Sequence, residues 1–217
     1  MKQTLSDIPD LKTGSVARFG EDSYWKERYE QKGTTSFEWF VPFSDVLEQN
    51  QPFKALLQSR VAQKAKVVEL GCGTSEMCEK LWDMGFRDVT GLDNQPAAIE
   101  FCAKRQGAAR QVKYVVADMT KLPFEDKSVD VVMDKGALDA LVCRGGEDLS
   151  RCAAEMWRVM KPTNSLLVVL SNAPLMEIVD GLKPWFEKEQ MTMTKHLASG
   201  QLIAKLYLFS RRKKKLG

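Results

Sequence analysis

A series of short apolar runs, alternating with helical patterns, limits how this chain can fold more than any other feature of its sequence. The apolar runs cover residues 66–70, 88–93, 111–117, 128–133 and 166–170. Between them lie helical patterns at 76–84, 97–105 and 150–160. Alternation at this spacing is typical of right-handed βαβ units, because a parallel neighbour needs a crossover connection. It predicts an α/β fold with a doubly wound, mostly parallel sheet.

The two ends of the chain break this alternation. Two short helices are predicted within 43–61, with Pro52 at the start of the second. Residues 189–196 and 201–209 are β-rich runs on either side of a short turn, which predicts an antiparallel C-terminal hairpin. The expected organisation is a poorly ordered arm at 1–20, a single domain at 21–210 with an N-terminal aromatic helical part at 21–62, and a basic tail at 211–217.

The first predicted strand ends in a carboxylate and a Gly-X-Gly turn. Glu69 lies near the end of the apolar run, and Gly71, Cys72 and Gly73 make the turn. A dinucleotide fingerprint would place a third glycine at position 76, where this chain has Glu76. Carboxylates here favour a cationic or zwitterionic ligand over a diphosphate. S-adenosylmethionine, with an ammonium, a sulfonium and no phosphate, fits that charge, and a purely structural turn is the alternative.

Acidic residues also end the next three predicted strands. Asp93 comes about 20 residues after the glycine turn, where an acidic side chain can accept hydrogen bonds from ribose hydroxyls. Asn94 can line an adenine, Asp118 can accept from its amine, and Met119 can pack on its ring. Asp134 ends the fourth run. Each carboxylate alone could cap a helix or turn, but together they predict a cofactor pocket at the carboxyl ends of the strands.

Composition argues against several kinds of site. His196 is the only histidine, so a Ser-His-Asp triad or a multi-histidine metal site is hard to assemble. The five cysteines show no C-x-x-C spacing, which argues against a zinc site or a disulfide framework. The net charge of +3 lies largely in the basic tail, so nucleic-acid binding is not expected. Without a membrane span or a signal peptide in the sequence, a cytoplasmic protein is expected.

An aromatic-rich segment precedes the first predicted strand. Trp25 and Tyr29 lie four residues apart in a predicted helix and so share one face. The run 37–40, which contains Trp39, follows them. These large side chains could pack the edge of the domain or form a lid over a cofactor, and their spacing does not decide between the two.

Several motifs resemble those of the seven-stranded class I methyltransferases. They are Glu-Leu-Gly-Cys-Gly-Thr-Ser at 69–75, Gly-Leu-Asp at 91–93, Ala-Asp-Met at 117–119 and Met-Lys-Pro-Thr-Asn at 160–164. Three further segments look like the methyltransferase-like family that includes the elongation factor 1-alpha lysine methyltransferases. They are Tyr-Trp-Lys-Glu-Arg-Tyr at 24–29, Phe-Glu-Trp-Phe at 37–40 and, above all, Asp-Lys-Gly-Ala-Leu-Asp-Ala-Leu at 134–141.

This resemblance covers about residues 20–210 and implies a Rossmann-like, seven-stranded fold. It also implies an S-adenosylmethionine-dependent methyltransferase, which yields S-adenosylhomocysteine as a product. In such proteins the aromatic N-terminal segment closes over the cofactor, so Trp25, Tyr29 and Trp39 are expected beside it. Lys135 is expected at the border of the cofactor pocket.

The resemblance further implies that the methyl acceptor is a protein lysine, with elongation factor 1-alpha as the expected partner. Methyl transfer from a sulfonium needs alignment and exclusion of water, and requires neither histidine nor metal. We hypothesise that Asp134 or Asp139 positions the lysine amine. A small-molecule methyltransferase and a cofactor-binding interaction protein without activity are the alternatives, because a fold does not fix a function.

The sequence departs from the family pattern in two places. Ala137 stands where the family often has threonine, and Thr163-Asn164 replaces a Gly-Gly turn. The first departure can remove a hydroxyl contact near the active site, whereas the second is expected to change only a loop.

Overall fold

The computed structural model describes residues 16–31, 35–62, 64–172, 175–195 and 202–212. Its N-terminal elements are a 3₁₀ helix (Val16–Gly20), α1 (Asp22–Glu30), α2 (Phe43–Gln49) and α3 (Gln51–Ala62). Strands and helices then alternate through β1 (Lys66–Leu70), α4 (Met77–Asp83), β2 (Asp88–Asp93), α5 (Pro96–Arg105), β3 (Lys113–Val116), β4 (Val131–Lys135), α6 (Ala137–Arg144), α7 (Gly146–Val159) and β5 (Leu166–Ser171). The C-terminal elements are α8 (Leu175–Leu182), β6 (Phe186–Lys195) and β7 (Leu202–Arg211).

In the described part of the chain, seven strands form one sheet in the order β3-β2-β1-β4-β5-β7-β6. The strands β1 to β5 pair in parallel, and β7 runs antiparallel to both β5 and β6. The strand order reverses between β1 and β4, so their carboxyl ends border the crevice where open α/β sheets bind ligands. The predicted mostly parallel sheet with an antiparallel C-terminal hairpin is confirmed, although the turn 198–200 lies outside the described residues.

Apolar layers cover both faces of the sheet. In β1, Val67 belongs to one buried cluster together with Leu57 of α3. The next residue, Val68, belongs to the other cluster with Leu138 of α6 and Met156 of α7. Because strand side chains alternate between faces, a strand buried on both sides reads as a continuous apolar run. This burial makes the sheet a firm support for the loops at its carboxyl edge.

Two strand boundaries differ from the prediction. The third strand is shorter than 111–117, because only its four central residues pair with β2. The fourth begins later than 128, since Val129 instead forms an isolated bridge with Met160. It also continues beyond 133, so Asp134 lies inside β4 and not after it. The pleat of the strand therefore determines the direction in which the side chain of Asp134 points.

Three further features were not predicted. The helices α6 and α8 have no counterpart in the sequence-based assignment, and α6 follows β4 after Gly136 alone. Phe19 is buried, so Val16–Gly20 belongs to the folded part rather than to an arm. The remainder of the predicted arm, 1–15, and most of the basic tail, 213–217, lie outside the described residues, as does His196.

Candidate functional site

A pocket open to solvent lies at the carboxyl ends of β1, β2 and β4. Its walls include every residue predicted to bind the cofactor: Trp25, Tyr29, Trp39, Glu69, Gly71, Cys72, Gly73, Asp93, Asn94, Asp118, Met119 and Lys135. Further lining residues, which were not predicted to bind the cofactor, include Asp22, Phe37, Ala137, Ala140, Leu141 and Arg144. Neither Asp134 nor Asp139 is among the lining residues.

Aromatic side chains cover one side of the pocket. They belong to residues 19–31 and 35–40, which we call the lid. Trp25 and Tyr29 share a face of α1, as predicted, with ring centroids 6.0 Å apart. The ring of Trp39 lies 5.5 Å from that of Trp25. Its buried Nε1 has no hydrogen-bond partner among the described residues. An unsatisfied indole N–H beside a pocket suits a ligand that carries an acceptor.

Two glycines shape the loop after β1. Gly71 has φ of 53° and Gly73 has φ of 49°. A Cβ on Gly73 would lie 2.5 Å from the hydroxyl oxygen of Tyr29, so α1 packs directly on the loop. The N–H of Gly73 donates to Asp93 Oδ2 at 2.9 Å, and that of Gln95 donates to Oδ1 at 2.8 Å. Asp93 therefore holds the loop, and a carboxylate has further lone pairs that can accept from a ligand.

Glu69 places a buried carboxyl group in the pocket wall. The residue is 1% exposed, and the thiol of Cys78 donates to its Oε2 at 2.9 Å. Burial raises the pKa of Glu69 to about 7, although the Cys78 hydrogen bond and the charge of Lys135 act in the opposite direction. At neutral pH this group therefore lies between its neutral and charged forms, where a bound cation would favour the charged one.

A buried ion pair joins the lid to β4. Lys135 Nζ contacts Glu38 Oε2, and the two side chains are 2% and 7% exposed. The other oxygen of Glu38 accepts a hydrogen bond from the N–H of Glu76 at 2.8 Å. Removing one partner of such a pair would leave an uncompensated buried charge. Sequence reasoning assigned no role to Glu38, because its partner is 97 positions away and no local pattern reveals the pair.

Arg105, at the end of α5, ties the lid to the glycine loop. Its guanidinium donates to the carbonyl oxygens of Thr74 and Ser75 and to the hydroxyl of Ser36 in the lid. It also donates from two nitrogens to Glu79 Oε1, at 2.9 and 2.7 Å. A planar group with five N–H donors can make these contacts at once. The sequence gives no signal for this role, because basic residues are common in the last turn of a helix.

A second connection lies at the mouth of the pocket. Arg144 Nη2 pairs with Asp22 of the lid, and its Nε donates to the carbonyl oxygen of Gly20 at 3.0 Å. Asn94, predicted to line an adenine, donates from Nδ2 to Asp22 Oδ1 at 3.0 Å. Its exposed side chain therefore reaches from β2 to the lid, across the rim of the pocket.

Asp118 and Met119 form the wall beyond β3. Asp118 Oδ1 accepts from the N–H and the hydroxyl of Thr120, at 2.7 and 2.8 Å, so the turn-capping alternative is realised. Neither bond uses Oδ2. Met119 reaches over the glycine loop, since a Cβ on Gly71 would lie 3.4 Å from its Cε. An apolar side chain beside an exposed carboxylate suits the face and the edge of a flat heterocycle.

The two carboxylates proposed for catalysis hold α6 in place. Asp134 is fully buried, and its Oδ1 accepts from the N–H of Leu138 at 2.9 Å. Burial, followed by the nearby charge of Asp139, raises the pKa of Asp134 well above its usual range. Asp139 accepts from the hydroxyl of Ser171 and from the N–H of Asn172, the latter at 3.0 Å. These bonds connect α6 to β4 and to the end of β5.

Comparisons with known proteins show sequence similarity to methyltransferases. Residues 68–168 match the family model of a methyltransferase domain. The chain is 34% identical over 152 residues to the eEF1A lysine and N-terminal methyltransferase of Mus musculus, covering 68% of this chain and 21% of that protein. It is 26% identical over 168 residues to EEF1A lysine methyltransferase 4 of Mus musculus, covering 72% of this chain and 63% of that protein. The chain thus spans about a fifth (21%) of the length of the first relative.

Among solved structures, the fold resembles that of an S-adenosylmethionine-dependent methyltransferase from Methanosarcina mazei. The TM-score is 0.58 at 17% identity, over 68% of this chain and 92% of that protein. At this identity the likeness concerns the fold alone.

In the described ranges, no helix is both long and apolar enough to span a membrane. The chain thus contains a region that matches a methyltransferase domain, has the fold of class I methyltransferases, and is similar in sequence to the elongation factor 1-alpha lysine methyltransferases.

Proposed function

We propose that this chain transfers a methyl group from S-adenosylmethionine to a protein lysine, with elongation factor 1-alpha as the candidate substrate. The observation that carries the proposal is the pocket, where Glu69, Asp93 and Asp118 lie at one edge of the parallel sheet beneath an aromatic lid. The choice of acceptor is supported by two relatives whose names specify lysine of eEF1A.

Five side chains suit particular parts of the cofactor. Glu69 suits a cationic group, and the remaining lone pairs of Asp93 suit the ribose hydroxyls. Asp118 and Met119 suit the edge and the face of the adenine, respectively. The buried N–H of Trp39 suits an acceptor such as a carboxylate. When bound, the cofactor would supply a methyl group made electrophilic by its sulfonium.

The chain's own part in the reaction is to favour a neutral lysine amine and to keep water away from it. With an ordinary pKa near 10.4, deprotonating a lysine at pH 7 costs about 4–5 kcal/mol. Apolar surroundings lower the pKa of an amine. Phe37, Trp39, Ala137 and Leu141 supply such surroundings in the pocket wall. The lid can exclude water from the same region, which strengthens electrostatic interactions inside it.

Asp134 and Asp139 enter this proposal as residues that position the amine by holding α6. Asparagine keeps one acceptor oxygen but replaces the second carboxylate oxygen with an NH2 group, which cannot accept. In Asp139 both oxygens accept, so one of its two hydrogen bonds would be lost. We therefore expect Asp134→Asn and Asp139→Asn to lower turnover at saturating cofactor without changing cofactor affinity. Kinetics with a lysine substrate and calorimetry with the cofactor separate the two effects. Full activity of both variants would remove both residues from the mechanism.

Radiolabelled S-adenosylmethionine tests the proposed acceptor. Incubation with purified elongation factor 1-alpha is expected to place the label on a lysine, as identified by mass spectrometry. Asp93→Ala leaves the N–H groups of Gly73 and Gln95 without their acceptor, so we expect it to abolish labelling. In a cell extract, label confined to the small-molecule fraction would contradict a protein substrate. Cofactor binding without any labelling would contradict an enzyme.

A further inference from the structure

Glu69 differs from the other carboxylates of the described pocket wall. Asp22 is paired with Arg144, and Asp93 accepts two backbone N–H groups. Asp118 is exposed and can be hydrated. Glu69 is buried, and the recorded donor to it is the thiol of Cys78, a weak one. A charged carboxylate at this position would therefore lack adequate compensation.

The titratable groups around Glu69 also provide little positive charge to compensate a carboxylate. The titratable groups that act on it or respond to its charge lie on five elements: Cys72 in the glycine loop, Cys78 and Glu79 on α4, Tyr114 on β3, Lys135 on β4 and Glu38 in the lid. Lys135 is the one cation of this set, and it is already in contact with Glu38. The geometry thus brings two buried carboxyl groups to one lysine beside the pocket.

We propose that Glu69 carries a proton in the cofactor-free protein and releases it when the positive charge of the cofactor arrives, so that cofactor binding is coupled to proton release. This inference rests on S-adenosylmethionine as the cofactor and is independent of the methyl acceptor. In the step, the O–H bond of the carboxyl group breaks and the proton passes to solvent. The resulting carboxylate pairs with the cation, and no electrons are exchanged.

The direction of the pH effect follows from this exchange. Burial keeps the pKa of Glu69 at about 7 in the free protein, so the group is largely protonated at pH 6. A cation beside it lowers that pKa, because the charged form is then favoured. Binding must displace the proton at low pH but not at high pH. Cofactor affinity therefore rises as the pH increases through 7 and levels off above it.

Isothermal titration calorimetry with S-adenosylmethionine, without an acceptor, measures the proton directly. The slope of the observed enthalpy against the ionisation enthalpy of the buffer gives the number of protons released. We expect about 0.9 proton at pH 6 and about 0.5 at pH 7 for the wild type, with affinity about fivefold tighter at pH 7. Below pH 7 the cofactor's own amine stays largely protonated and contributes little.

Two variants identify the source of the proton. Glu69→Gln keeps the shape and an acceptor for Cys78, and it should bind with almost no proton release. Glu100→Gln removes an exposed carboxylate that does not line the pocket and should release as many protons as the wild type. Protons exchanged by His196 would persist in both variants. Wild-type binding without proton release at pH 6 would overturn the proposal even if Glu69→Gln does not fold, and so would unchanged release from Glu69→Gln.

Discussion

Replacing Glu38 with Gln is expected to destabilise the fold by about 3–5 kcal/mol and to weaken cofactor binding by roughly tenfold or more. The substitution removes the carboxylate that contacts Lys135 and leaves this buried cation beside the partly protonated Glu69. Glutamine still offers a carbonyl oxygen to the N–H of Glu76, so the change isolates the loss of charge. Relieving the buried charge would require the lid to separate from β4, which opens one wall of the pocket. Chemical denaturation and cofactor titration measure the two effects.

Two further variants show whether the charge itself is responsible. Adding Lys135→Met to Glu38→Gln removes both charges, and we expect it to restore much of the stability, because an apolar replacement of a buried pair is often neutral. Glu100→Gln breaks an exposed pair with Lys104 and should leave the unfolding midpoint unchanged. If Glu38→Gln were no less stable than Glu100→Gln, the buried pair would not fasten the lid.

Gly136→Ala is expected to displace Trp39 and to lower cofactor affinity. Gly136 has φ of 84°, a conformation that costs about 1–2 kcal/mol for a residue with a Cβ. The added Cβ would also collide with the indole of Trp39, lying 2.6 Å from Nε1. That ring cannot move freely, because it packs edge-on against Phe19 and Trp25. Intrinsic tryptophan fluorescence reports the displacement, and cofactor titration reports the affinity.

Gly107→Ala is a matched control for this change. Gly107 has φ of 66°, but a Cβ there would meet no atom within 4 Å. Its substitution should therefore impose a similar backbone cost without disturbing the lid. We expect Gly107→Ala to lose some stability and to keep the fluorescence and cofactor affinity of the wild type. Equal affinities for the two variants would show that the contact between Gly136 and Trp39 does not matter for binding.

The pocket was predictable because it depends on strand ends. Once a buried strand is recognised from its apolar run, topology places its carboxyl end at a known edge of the sheet. Glu69 and Asp93 could therefore be brought together without coordinates. The aromatic lid was harder to predict, because the spacing of Trp25 and Tyr29 indicates only that they share a face of a helix. The resemblance to a methyltransferase family then placed that face over the cofactor.

The contacts that fasten the lid were not predictable in the same way. Glu38 and Arg105 act through partners far away in the sequence, and no local pattern reveals those partners. The end of the fourth strand was also misjudged, since Asp134 lies inside β4. An apolar run does not reveal where strand pairing begins or ends. Val129 looks like part of the fourth strand, yet it bridges to Met160. Tertiary contacts decide which residues pair within a strand, and they compete with the local preference of each residue for β-structure.

These contacts join the lid to the three elements that form the pocket. Glu38 reaches β4, Arg105 links Ser36 to the glycine loop, and Arg144 links α6 to the start of α1. A ligand that contacts both the lid and the strand ends would stabilise the same arrangement. Cofactor binding and lid position are therefore expected to depend on each other.

A crystal structure with bound S-adenosylhomocysteine tests directly whether the strand ends and the lid form one cofactor site. We expect the adenosine beside Asp93 and Met119, and the amino acid portion beside Glu69 beneath Trp39. The contact between Lys135 and Glu38 should be preserved. Ligand bound away from these strand ends, or a lid that makes no contact with it, would contradict the assignment.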